Sequence, residues 1–214
     1  MLRDLFICTV VFVCGWVLMA IEILGGRMLG PYFGSDIYVW GSVISIFLLA
    51  LSMGYCLGGM LSKRIVAVWV LMLIVAGAGV LICLVPLYYR PLAEQLWDIG
   101  PRCGPLSVSA VLFLPPSVLL GMVSPYAIRL STRSVESVGM KSGVLYAVST
   151  VGSFLGTLVT SFYFIGQMGI KNILYLSGSL LCAVGMLSLA WLGLCAAVLR
   201  SKDSSCAQPT ETPK

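Results

Sequence analysis

The sequence has no histidine, and only 10% of its 214 residues are charged. Without histidine the common zinc and haem ligand sets are missing. Eight cysteines are present, but no two form a C-x-x-C pair. Cys8, Cys14, Cys56, Cys83, Cys182 and Cys195 lie inside apolar runs, where cysteine reads as a small hydrophobe. Cys103 falls in a loop and Cys206 in the polar tail. No metal and no cofactor is expected. An acidic cluster and a Gly-rich strand–turn–helix fingerprint are also lacking, which makes an enzyme the weakest function class. So little charge cannot supply the polar shell of a soluble domain of this length.

What is present is hydrocarbon. Mean hydropathy is +1.04, and 59% of residues are hydrophobic. A membrane-spanning helix needs roughly 20 apolar residues. Six such runs occur: Leu5–Leu24, Tyr38–Leu61, Ile65–Tyr88, Pro105–Ile128, Ser142–Gly166 and Asn172–Leu199. The first is too long for a typical signal-peptide core and has no A-x-A-like site after it, so it reads as a retained helix. The expected fold is therefore an all-α integral membrane protein, with residues 1–199 as one six-helix domain. Residues 200–214 are polar, contain two prolines and read as a disordered tail.

Six helices put both termini on one side. With that side cytoplasmic, the inside holds Arg3, Lys63, Arg64, Arg129, Arg133, Lys141, Arg200, Lys202 and Lys214, and the outside holds Arg27, Arg90, Arg102 and Lys171. Nine against four follows the positive-inside rule. The location expected is a bacterial cytoplasmic membrane, with the lipid bilayer as the main partner. The net charge of +5 is mostly a topology signal. Clustered basic residues with exposed aromatics are missing, so nucleic acid is not an expected partner. The outer segment "PLAEQLWDIG" reads either as a short interfacial helix or as a plain connecting loop.

A weak internal repeat is visible. "LGPYF" at Leu29–Phe33 and "VSPYA" at Val123–Ala127 are each followed, one helix later, by G-x-x-x-G: Gly54/Gly58 and Gly152/Gly156. The prolines, 31 and 125, are 94 residues apart, and the glycines, 54 and 152, are 98 apart. Helices 1–3 and 4–6 would then form a 3+3 inverted repeat, as in half of a major facilitator transporter. The four glycines are expected to pack helices closely, because van der Waals contact drives association in lipid.

Glu22 is the only charge inside any of the six runs. A carboxylate there costs on the order of 3 kcal/mol or more unless it has a partner or a wet cavity. Two readings stay open. Glu22 and Arg27 form a buried ion pair, or Glu22 serves a cation or proton site where Gly25-Gly26 loosens or breaks the helix. Tyr32, Tyr55, Tyr126, Tyr146 and Ser149 are the further candidate substrate-binding residues, since aromatic faces suit an ammonium group. Tyr38 and Trp40, at a helix start, read either as cavity residues or as an interfacial belt.

The segment Glu22–Arg64 resembles the start of the membrane domain of fused major-facilitator/spermidine-synthase proteins. The match includes Glu22, Arg27 and the Pro31-Tyr32-Phe33-Gly34 step. "SPYAIRL" (Ser124–Leu130) and Gly143–Leu176 resemble its second half. Two departures stand out. The inner loop reads Ser62-Lys63-Arg64, without the acidic residue expected there, and the soluble aminopropyltransferase domain is not among these residues. The resemblance implies a membrane protein of polyamine chemistry. One form is a transporter or exporter of a polyamine or similar small cation, as a homodimer. The other is a non-transporting anchor for a separate soluble aminopropyltransferase-like enzyme.

Overall fold

The computed structural model describes residues 2–132 and 138–186, and among them every regular element is helical. The helices are α1 (Leu2–Phe33), α2 (Ile37–Arg64), α3 (Val68–Gln95), α4 (Cys103–Ser131), α5 (Val138–Gln167) and α6 (Ile170–Met186). The first five are each long and apolar enough to cross a bilayer. The shortest, 28 residues, reaches about 42 Å at 1.5 Å per residue. The chain is an all-α protein of membrane type. The sixth run begins as a helix where expected; its end beyond Met186, and the tail 200–214, lie outside the described residues.

Local chemistry sets the boundaries. α1 stops where Gly34 turns left-handed, φ 84°, and its N–H bonds the Gly30 carbonyl at 2.9 Å. α2 stops where Ile65 goes extended, and Ile65–Ala67 then links it to α3. The segment "PLAEQLWDIG" is neither a separate helix nor a plain loop. α3 carries on through Pro86 and Pro91 to Gln95, and a 3-10 turn follows at Trp97–Ile99. α5 contains a π-helical stretch at Thr160–Phe164, for which the sequence carries no signal.

α4 sits at the centre, packed on α1, α2 and α3, while α5 lies along α1. Phe47 of α2 and Phe113 of α4 meet at 5.7 Å between ring centres inside this core. The four expected packing glycines do make the close approaches. A Cβ on Gly54 or Gly58 would run into the Val118 or Met122 carbonyl of α4. One on Gly152 or Gly156 would run into the Phe12 or Trp16 carbonyl of α1. The second helix of each half thus packs on the first helix of the other half. The Pro-Tyr steps do not share this equivalence. Pro125 is at the Gly58 contact, whereas Pro31 lies 15 residues past Trp16, about 22 Å along α1.

Basic residues mark both ends of the bundle. Arg3 donates to the Leu130 carbonyl at 3.3 Å, and Lys141 donates to the Ser131 carbonyl. Two cations therefore cap the negative C-terminal end of α4 and tie α1, α4 and α5 together there. At the opposite end the Arg102 guanidinium stands 5.5 Å from the Tyr38 ring centre, and Arg90 and Lys171 flank the Tyr89 ring at 5.9 and 5.8 Å.

Gly25-Gly26 does not break α1, which is helical throughout Leu2–Phe33. The glycines admit neighbours instead. A Cβ on Gly25 would stand 3.1 Å from the Phe113 ring, and one on Gly26 2.8 Å from the Trp40 indole. The packing of rings into this notch offsets the roughly 1 kcal/mol per residue that glycine costs a helix.

Candidate functional site

A cavity of about 170 Å³ opens among α1, α2, α4 and α5. It brings together three of the sequence candidates: Tyr55 from α2, and Tyr146 and Ser149 from α5. Ser124, Thr150 and Ser153 add hydroxyls, and Cys14, Leu18, Leu51 and Leu120 supply apolar wall. The two tyrosines are 47% and 52% exposed, so the cavity is open between α2 and α5. Thr150 donates to the Tyr146 carbonyl at 2.8 Å, and Ser153 donates to the Gly15 carbonyl at 3.2 Å. Those hydroxyls hold the wall together; the two tyrosine hydroxyls and Ser149 carry no such bond among the described residues.

The small face of α5 therefore has two roles. Gly152 and Gly156 face α1, while Ser149 and Ser153 border both the α1 contact and the cavity. Ser124, Thr150 and Cys14 were not singled out from the sequence. Cys14 and Thr150 sit in apolar helices with no short motif around them, Ser124 opens the Ser-Pro-Tyr step, and only the crossing of the helices puts the three together.

Glu22 is half-buried and forms no ion pair or hydrogen bond among the described residues. It lies four residues past Leu18 and seven past Gly15, both cavity-lining. At 3.6 residues per turn those positions share one face of α1, with Glu22 one turn above the cavity. Arg27, five residues on, is exposed and does not pair with it. An exposed Arg27 can reach polar headgroups on its long stem.

The remaining candidates lie elsewhere. Tyr126 is fully buried, and its hydroxyl is occupied by the α2–α3 link. It accepts from Ala67 N–H at 3.2 Å and donates toward the Ile65 carbonyl at 2.8 Å, with the Ala67 carbonyl at 3.1 Å. Tyr32 lines a shallow cup of about 290 Å³ with Pro31, Glu94 and Trp97 at the Arg102 end. Trp40 covers Gly26, whereas Tyr38 is exposed under Arg102. Among the described residues no group of His, Cys, Asp or Glu is arranged to hold a metal ion. No protein-family model matches the chain, and neither does any curated protein or solved structure.

Proposed function

We propose that the chain carries a small organic cation of the polyamine class across the membrane, working as a pair of identical copies. The observation that carries this reading is the cavity where Tyr55, Tyr146 and Ser149 meet at spanning depth, with Glu22 one turn above on the same face of α1. Polar groups in hydrocarbon are costly and favour a wet or ligand-bound site. Two tyrosine rings supply about 1–4 kcal/mol of cation–π attraction between them. That alone corresponds to millimolar affinity at best, since 1 mM is about −4.1 kcal/mol. A hydrogen bond to a charged group adds about 1.5–3 kcal/mol, which makes Glu22 the decisive group. The polyamine assignment rests on the resemblance of Glu22–Arg64 and Gly143–Leu176 to the membrane domain of fused spermidine-synthase proteins.

The pairing follows from the open side. α2 and α5 are the least covered of the five spanning helices, and the cavity opens between them. A second copy set against those two helices would close it and supply the opposing wall that alternating access uses. Uptake of labelled spermidine into proteoliposomes tests the reading. Wild type should accumulate label, Glu22→Gln should lose most of it, and Tyr55→Phe should retain it, because the ring and not the hydroxyl attracts the cation. Uptake equal to protein-free vesicles, across a panel of di-, tri- and tetra-amines, would defeat the proposal.

A further inference from the structure

The end of α3 that meets the 3-10 turn carries a feature that the transport reading does not use. The last turn of α1 docks there: a Cβ on Gly104 would run into both the Phe33 ring and the Leu96 carbonyl. That contact sets Pro31 and Tyr32 of α1 beside Glu94 and Trp97, and these four line the cup of about 290 Å³. Glu94 is exposed and makes no ion pair or hydrogen bond among the described residues. Arg90, four residues earlier, lies on the same face of α3. It is held by Tyr89, to whose hydroxyl it donates at 3.0 Å. Toward the middle of the span Pro91, Leu87, Leu84 and Val80 follow on this face at helical spacing, and all four are exposed.

We propose that this face of α3 binds a phospholipid with a primary-ammonium headgroup, of the phosphatidylethanolamine type. The cup takes the ammonium: Glu94 accepts its N–H groups, and Tyr32 and Trp97 supply the aromatic wall that attracts a cation. Arg90 takes the phosphate, its guanidinium positioned by the bond to Tyr89. The order of charge along the helix matches the order in the lipid. Arg90 stands about 6 Å nearer the middle of the span than Glu94, at 1.5 Å per residue. In such a headgroup the phosphate is likewise the deeper group, joined to the glycerol, and the ammonium is the tip. The exposed stripe from Pro91 to Val80 continues in line for about 16 Å and receives an acyl chain. A soluble amine would leave Arg90 and the stripe without a partner. A choline headgroup has no N–H to offer Glu94.

The test titrates the full chain in detergent with dioleoyl phosphatidylethanolamine, and with the phosphatidylcholine of the same chains, and reads dissociation constants by native mass spectrometry. The ethanolamine lipid should bind about tenfold more tightly, the worth of one charge-assisted hydrogen bond. Glu94→Gln should erase that preference. Asp98→Asn, at an exposed carboxylate outside the cup, should keep it. Arg90→Gln should weaken both lipids by a similar factor, since each carries the phosphate. Equal affinity for the two lipids in wild type, equal effects of the Glu94 and Asp98 variants, or an Arg90 variant that binds as wild type does would overturn the proposal. So would displacement of the bound lipid by spermidine or by soluble O-phosphoethanolamine, which would mark the cup as a site for free amines.

Discussion

The indole of Trp40 lies on the bare backbone of Gly26: a Cβ placed there would stand 2.8 Å from both Cη2 and Cζ3. Gly26→Ala therefore drives a methyl into a ring that closes the α1–α2 contact. The expected outcome is destabilisation by about 1–3 kcal/mol, the range for overpacking, read as a lower melting temperature in detergent. Trp40→Phe combined with Gly26→Ala should recover part of it, because the smaller ring vacates the space. A Gly26→Ala protein that melts with wild type would show that the two do not touch.

The helix-packing glycines make a sharper contrast. Gly58 and Gly156 meet backbone, which cannot step aside, whereas Gly59, next to Gly58, has nothing within 4 Å of its Cβ position. Gly58→Ala and Gly156→Ala should each lower thermal stability, and their leucine variants should fail to assemble. Gly59→Ala should be neutral or slightly stabilising, since alanine favours helix over glycine by roughly 1 kcal/mol. Size-exclusion profiles and melting curves of the alanine set decide the matter. Equal behaviour of all three would contradict the crossings.

Tyr126→Phe keeps the buried ring and removes the hydroxyl that ties down Ile65–Ala67. The Ala67 N–H loses its acceptor, and a buried donor left unsatisfied costs about 1–3 kcal/mol. Spermidine uptake per folded molecule should not change, because this hydroxyl is away from the cavity. Hydrogen exchange should rise at Ala67 and not in the helix cores. Protection at Ala67 as strong as in wild type would mean that the link is held by something else.

Among the described residues Glu22 and Arg27 form no ion pair with each other, so their mutations should act independently. In a double-mutant cycle with glutamine at each position, the coupling should stay within about 0.5 kcal/mol, the limit for non-interacting sites. A buried ion pair broken on one side would instead cost about 3–5 kcal/mol and be rescued by the second change. Melting of the four variants measures the difference. Strong coupling would restore the ion-pair reading and remove the free carboxylate from the proposed cation site.

Much of the architecture was legible in order. Apolar length fixed where helices form, because a backbone in hydrocarbon has no other partner for its N–H and C=O groups. The G-x-x-x-G pairs announced close contacts, and Gly54, Gly58, Gly152 and Gly156 make them. Composition alone also set these residues apart from a soluble domain. What sequence could not carry was which helix receives each small face. Two adjacent glycines at 25 and 26 look the same as a hinge and as a notch for Phe113 and Trp40. Only the neighbours distinguish the two, and they come from α4 and α2. The Pro-Tyr steps misled for the same reason: a three-residue likeness says nothing about depth along the helix. Tyr55, Tyr146 and Ser149 could be chosen as polar groups in apolar runs, but so could Tyr126, whose hydroxyl is spent on a loop. Polarity within a span is written in the sequence. Whether it faces a cavity or a loop is decided by helix crossings, which depend on contacts between segments tens of residues apart.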